Sequence, residues 1–284
     1  MIFPPKGVVS YSLPLTRLRK TTGQIHSLFT RSYNIAFGRD LVNVASADME
    51  CSSYGLKLSA EEVKFQIKSL NVGARVVWEG SRLQLFCRNG NVIEINLAEL
   101  TVLDLKLRPT QPTKERVEAV ARSLEFAVTL KNTGLPQDEE TLRVLRSLCQ
   151  PDLSEKTFRI AFDYLIGRGQ GLTPSGDDVL LGYLMMLKLF SIPLYLEKLR
   201  LKDYQDKTTL ISENYLRLLR QGYVSEYFQN FCQAASIPDK ASLRQMVARI
   251  KGVGATSGSD MLLGMAIGIS KITGVNLVLP SVEK

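Results

Sequence analysis

The sequence predicts an α+β fold, with a β-rich N-terminal half followed by an α-helical C-terminal half. Three observations carry this prediction. Apolar residues alternate with a period of two up to about residue 105, the signature of half-buried strands. After the proline-punctuated stretch RPTQPTK they recur at helical spacing instead. In the second half, a glycine-rich loop running into an apolar helix occurs twice. The expected domains are 1–108, β-rich, and 113–284, helical, with the doubled loop at 167–178 and 252–260.

The strands come first. RLQLFC-RNGN-VIEINL sets Leu83, Leu85 and Cys87 on one face and then, past Asn89-Gly90, Ile93 and Ile95. Asn-Gly accepts the positive φ angles of a type I′ turn, so a hairpin is expected here. GVVSYSL, DLVNVAS, YGLKLS and GARVVWEGS read as further strands, rich in β-branched and aromatic residues and bounded by turns. GQIHSLFTRSYNIAF suits strand or loop equally. In the second half, Val117, Val120, Ala121, Leu124 and Val128 form one helical stripe, Tyr227, Phe228 and Phe231 a second, and Leu243, Met246, Val247 and Ile250 a third. Segments 139–150, 155–166 and 208–220 read as helices too, the last closed by Gly222.

Composition narrows the function classes. The 284 residues are 45% hydrophobic and 23% charged, an ordinary globular balance. The net charge of +8 is spread along the chain, with no basic run or zinc-finger spacing, which argues against nucleic-acid binding. Cys51, Cys87, Cys149 and Cys232 lie far apart and His26 is the only histidine, so no Cys/His metal site is expected and free thiols are. The N-terminal MIFPPKGVVSYSLPLTRLRK lacks the apolar core of a signal peptide. VLLGYLMMLKLFSIPLYL is broken by Lys188 and Pro193, which suits a buried helix and its exit better than a membrane span. A cytoplasmic protein without membrane contact is expected.

The doubled loop carries the functional signal. GLTPSGDDVLLG aligns with GATSGSDMLLG with one gap, and eight of eleven aligned positions are identical. Gly171 pairs with Gly254, Thr173 with Thr256, Ser175 with Ser257, Gly176 with Gly258, Asp178 with Asp260 and Gly182 with Gly264. Because the flanking sequence shows little similarity, the repeat reads as a motif and not as a domain. A purely structural account exists. Ser175-x-x-Asp178 and Ser257-x-x-Asp260 have the form of capping boxes before apolar runs. Capping leaves the glycines, Thr173 and the second carboxylate Asp177 unexplained. Glycine loops before helices let backbone N–H groups converge on an anion at the positive helix end. Two such loops point to a shared pocket, with Gly171, Thr173, Ser175, Gly176, Thr256, Ser257 and Gly258 as its binding residues.

The aspartates restrict the ligand. A carboxylate ~5 Å from a phosphate charge costs roughly 3 kcal/mol at an effective dielectric near 20. GLTPSG also lacks the Lys-Ser/Thr of a Walker loop, with Asp177 and Asp178 in those places. Three arrangements relieve the repulsion. A magnesium ion would bridge carboxylate and phosphate, Arg168 would compensate, or the ligand would present N–H donors to Asp178 and Asp260. A carbamoyl or amide group with an anionic far end suits the last. The hydroxyls of Thr208, Thr209 and Ser212 would line the same pocket, unless a threonine merely caps that helix. No G-x-S-x-G elbow is present, and His26 reads as structural or surface. Asp178 with Asp260 is the favoured acid/base pair, ahead of the adjacent Asp177.

GRGQGLTPSGDDVLLG resembles the signature of the bacterial AllH-like family. Thr256-Ser257-Gly258-Ser259-Asp260 resembles that family's second segment, and TTLISENYLRLLRQGYVSE its intervening one. IHSLFTRSYN, with His26, Ser27, Phe29 and Asn34, resembles its early segment. Arg168, Gln170 and Ala255 depart from the usual residues. The resemblance implies a subunit of oxamate carbamoyltransferase, converting oxalurate and phosphate to oxamate and carbamoyl phosphate in purine nitrogen catabolism alongside other subunits. No cofactor is expected, with magnesium as the alternative. The partners would be a small anionic metabolite and those subunits. A non-catalytic anion-binding or scaffolding subunit is a second reading, and a magnesium-dependent phosphate or nucleotide enzyme a third.

Overall fold

The computed structural model describes residues 7–10, 12–13, 21–125, 130–193, 195–237 and 239–275. Val128 of the first helical stripe and most of the N-terminal stretch read for a signal segment lie outside these residues. The fold is α+β, with the strands in the N-terminal half and most helices in the C-terminal half. The chain divides into two compact units: Met1–Lys106 with Tyr223–Glu226, and Leu107–Gly222 with Tyr227–Lys284.

The first unit is a nine-stranded sheet. Its strands are β1 (Gly7–Ser10), β2 (Thr21–Leu28), β3 (Ser32–Phe37), β4 (Asp40–Ser46), β5 (Gly55–Leu58), β6 (Arg75–Glu79), β7 (Arg82–Phe86), β8 (Val92–Asn96) and β9 (Thr101–Leu103). They are ordered β8-β7-β6-β2-β3-β4-β5-β1-β9. The β4–β5 and β1–β9 pairs are parallel and the other pairs antiparallel. The ambiguous GQIHSLFTRSYNIAF is thus strand, supplying most of β2 and all of β3, with a register shift between Ile25 and Ser27. Alternation buries Ile25, Tyr33, Ile35, Val44, Leu56, Val76, Leu83 and Leu85.

Two details differ from the sequence reading. The β7–β8 hairpin forms with Leu83 opposite Ile95 and Leu85 opposite Ile93. Its turn is not type I′. Gly90 alone has a positive φ, +82°, while Asn89 does not. The Gly90 N–H donates to Cys87 O and the Cys87 N–H to Asn91 O, which makes a three-residue loop with a glycine bulge. The Asn89 side chain accepts from the Asn91 N–H at 3.1 Å, so it serves the loop as an acceptor. The second difference is a helix within the β-rich half, α1 (Ala60–Ser69). Ser59 and Glu62 form a true capping box at its start, and Tyr33 donates to Gln66 Oε1 at 2.7 Å.

The second unit holds α2 (Lys114–Leu124), α3 (Glu139–Leu148), α4 (Glu155–Leu165), α5 (Ser175–Leu189), α6 (Leu210–Gln221), α7 (Glu226–Ser236, its first residue counted with the sheet), α8 (Lys240–Lys251) and α9 (Ser257–Thr273). Helices α5 and α9 are its centre, with nearly every residue of α5 and most of α9 buried, as expected of helices apolar on all sides. They run side by side with their N-termini at the same end. Two glycines allow this. A Cβ on Gly182 would collide with Met261 O, and one on Gly264 with Val179 O. Gly268, the other half of the GxxxG, faces Met186 and Tyr183 O. No helix among the described residues is long and apolar enough to cross a membrane.

The repeat is larger in space than in sequence. A Cβ on Gly176 would strike Leu165 O in the last turn of α4, and one on Gly258 would strike Ile250 O in the last turn of α8. Each copy is therefore a helix–loop–helix, α4–α5 or α8–α9. The paired residues exchange places under a pseudo-two-fold rotation along the two central helices. Sequence identity is concentrated in the loops and the first turns of α5 and α9, and two of its glycine pairs, Gly176 with Gly258 and Gly182 with Gly264, stand where backbones touch. We expect Gly182→Ala and Gly264→Ala each to cost about 1–3 kcal/mol through forced separation of the helices, measured by urea denaturation. Unchanged midpoints would show that the close approach is not needed for stability.

Candidate functional site

The two loops bring their functional side chains together at the N-termini of α5 and α9. Thr173 Oγ1 and Ser257 Oγ are 2.9 Å apart, joining one loop to the other. The expected capping boxes do not form. Pro174 and Thr256 hold the cap positions and neither helix has a side-chain cap bond. Ser175 and Ser257 are the first helical residues, so each aspartate lies one position too far along to complete a box with its own serine. The hydroxyls are crossed instead. Ser257 faces Asp178, and Ser175 faces Asp260. Thr173 and Thr256 complete each set from the aspartate's own loop.

Asp178 is 4% exposed and Asp260 0%, and each keeps its Oδ2 without a hydrogen-bond partner. Leaving a buried carboxylate oxygen unpaired is costly. Burial pushes the Asp178 carboxyl well above the usual carboxylate range. Repulsion from Asp260 and Asp177 adds to that shift, against the hydroxyls of Ser257 and Thr173. Burial raises Asp260 as well, opposed by Ser175, the Gly134 N–H and Thr256. Among the described residues, no Lys or Arg is one of the groups acting on either carboxyl.

Asp177 is placed differently. Its Oδ1 accepts the Gly167 N–H at 2.7 Å and its Oδ2 accepts the Thr208 hydroxyl. It therefore ties the start of the loop to the start of α6, with its pKa raised by burial. Gly167 has φ +72° and no room for a side chain beside Lys207 O, so glycine is required there. Thr209 is the N-cap of α6, accepting from the Ser212 N–H at 3.2 Å and donating to Leu172 O at 2.6 Å. The Ser212 hydroxyl is buried near Asp177 without a hydrogen bond of normal geometry. These three hydroxyls thus gather around Asp177 and the loop backbone.

Other expected residues have other partners. Arg168 Nε donates to Tyr164 O, and its guanidinium lies 3.7 Å from the centre of the Tyr164 ring. The Gly176 and Gly258 N–H groups donate to Arg168 O and Val253 O, so both are engaged within their own loops. Gly171 has φ +87° and open space around its Cβ position. In the first unit, His26 Nδ1 and Ser27 Oγ are 3.2 Å apart, and Asn34 Nδ2 donates to Ser27 Oγ at 3.0 Å. Asn43 continues that chain by donating to Asn34 Oδ1. Sequence reasoning missed Gly134, whose N–H donates to Asp260 Oδ1 at 3.0 Å. No signal near KNTGLP singles it out, because its partner lies 126 residues away.

The class of site is thus a duplicated helix–loop–helix whose paired helix starts enclose two carboxyls and four hydroxyls. Residues 165–269, which carry both loops, match the family described as oxamate carbamoyltransferase subunit AllH, and the match supports an AllH-like assignment for the chain. No solved structure matches it.

The raised carboxyls have a sign that can be checked. A carboxyl whose native pKa lies above its unfolded value favours folding at low pH. That contribution is lost as pH rises from the usual carboxylate range through the native pKa. We expect the stability of Asp178→Asn relative to the natural chain to improve with rising pH across that window, by urea denaturation at a series of pH values. A constant difference would mean that Asp178 titrates as an ordinary carboxylate.

Proposed function

We propose that this chain serves as an AllH-like subunit of a carbamoyl-transferring enzyme, of the type that interconverts oxalurate plus phosphate with oxamate plus carbamoyl phosphate. Its doubled loop would bind a small ligand with a carbamoyl or amide group and an anionic end. The observation that carries this reading is the pair of buried carboxyls, Asp178 and Asp260, each with one unpartnered oxygen. Such oxygens call for N–H donors, and an amide supplies them without adding charge. Burial keeps the Asp178 proton in place to higher pH than usual, which reduces repulsion of an anionic ligand. Thr173 and Ser257, bonded to each other across the two loops, would orient the group. Catalysis of this kind works by positioning and preorganised dipoles. The family description, a subunit, supports further subunits as partners.

The Gly176 and Gly258 amides are engaged internally, so the anionic end would meet the loop hydroxyls instead. The test is the melting temperature of the purified chain against phosphate, carbamoyl phosphate, oxamate, oxalurate and magnesium-ATP. A ligand at a hundred times its Kd adds about 2.7 kcal/mol. A shift with oxamate or oxalurate, lost in Thr173→Val and Ser257→Ala, is expected. A shift with magnesium-ATP alone would favour the nucleotide reading and overturn this one.

A further inference from the structure

The two halves of the site match in sequence and in their crossed hydroxyls, but they differ in one respect. Asp260 Oδ1 accepts a main-chain N–H, that of Gly134. Gly134 sits against the Asp260 half so closely that a Cβ on it would collide with Ser175 Oγ and come 3.2 Å from Thr256 Oγ1. These are the two residues that serve Asp260. Among the described residues, no main-chain N–H bonds to Asp178, and the groups that act on it include the hydroxyls of Ser257 and Thr173. Asp178 is likewise buried and likewise keeps its Oδ2 unpartnered.

We propose that Asp178 is the ligand-facing carboxyl, accepting the N–H of a small carboxamide in the position that Gly134 takes at Asp260. The protein thus supplies an amide of its own to one half of a symmetric site and reserves the other half for the ligand. This assignment rests on the carbamoyl reading above and deepens it by fixing which end of the ligand meets which half. The NH₂ group points to Asp178, next to the Thr173–Ser257 bridge. Asp260 is a positioning residue that holds the Gly134 segment and, through Ser175, the start of α5. A peptide N–H and a carboxamide N–H are the same donor in chemical terms, so a cradle shaped for one accepts the other.

Oxamate and pyruvate give the test, since they differ by NH₂ in place of CH₃ at nearly equal size. A site built to bond the N–H rejects the analogue that lacks it. Calorimetry on the full chain should show oxamate preferred over pyruvate by at least about tenfold, as expected for one buried hydrogen bond that pyruvate cannot make. Asp178→Leu, which keeps the shape of the carboxyl, should bring that ratio close to one. Asp178→Ala is the second variant should leucine disturb the helix start. Asp260→Asn, which retains an acceptor for Gly134, should keep the preference even where overall affinity falls. Loss of the preference in Asp260→Asn with its retention in Asp178→Leu would overturn the assignment, as would loss in both. Equal wild-type binding of the two compounds would overturn it while leaving the small-anion reading standing. Absence of binding by either would bring down the carbamoyl reading and this assignment together.

Discussion

The helical unit depends on the contact between α5 and α9 that Gly182 and Gly264 allow. Each glycine meets the other helix's backbone with no side chain between them. That distance lets Thr173 reach Ser257 and lets each aspartate face the opposite serine. Helices held farther apart by a pair of alanines would lose this reach between the two loops. Close packing thus converts two local motifs into one shared arrangement. The energetic consequence is unfavourable in isolation, since two carboxyls are withdrawn from water with one oxygen each unpaired. The apolar burial along both helices offsets that cost.

The three aspartates show how environment separates roles among identical side chains. Asp177 has both oxygens engaged, by a loop N–H and a helix-start hydroxyl, and so acts as a clasp. Asp260 has one oxygen engaged by a peptide N–H. Asp178 has hydroxyls only. The same order follows the availability of each carboxyl for anything outside the chain. Adjacent positions on α5, Asp177 and Asp178, point into different surroundings because successive helical residues turn by about 100°.

Much of the architecture was legible in the sequence. Period-two alternation located the β-rich half, and the helical stripes located α2, α7 and α8, because burial on one face writes itself into spacing. Helix α1 was missed although Ser59 and Glu62 carry a capping box, since its ten residues are short and weakly apolar. The type I′ turn was misread because Asn-Gly also suits a longer loop, in which only the glycine needs positive φ. In the second unit, the repeat singled out the loops and pointed to Asp178 and Asp260, which the fold brings near one another. What it could not convey was the crossing of partners, the engagement of Gly176 and Gly258, or Gly134. Those depend on which backbone atoms end up adjacent across long separations, and spacing along the chain does not encode that.

The segment Tyr223–Glu226 belongs with the sheet although it follows α6. Glu226 accepts the Cys51 N–H at 2.7 Å and Lys57 Nζ at 2.8 Å, and Val224 N–H donates to Leu105 O. The chain leaves the first unit, returns for four residues and leaves again. On a ribosome, the sheet would emerge more than a hundred residues before its last component. Lys57 and the Cys51 amide would wait without a counterpart while α2 to α6 are made. The first unit is therefore finished late in synthesis, and a gene split at its apparent boundary would encode an incomplete sheet domain.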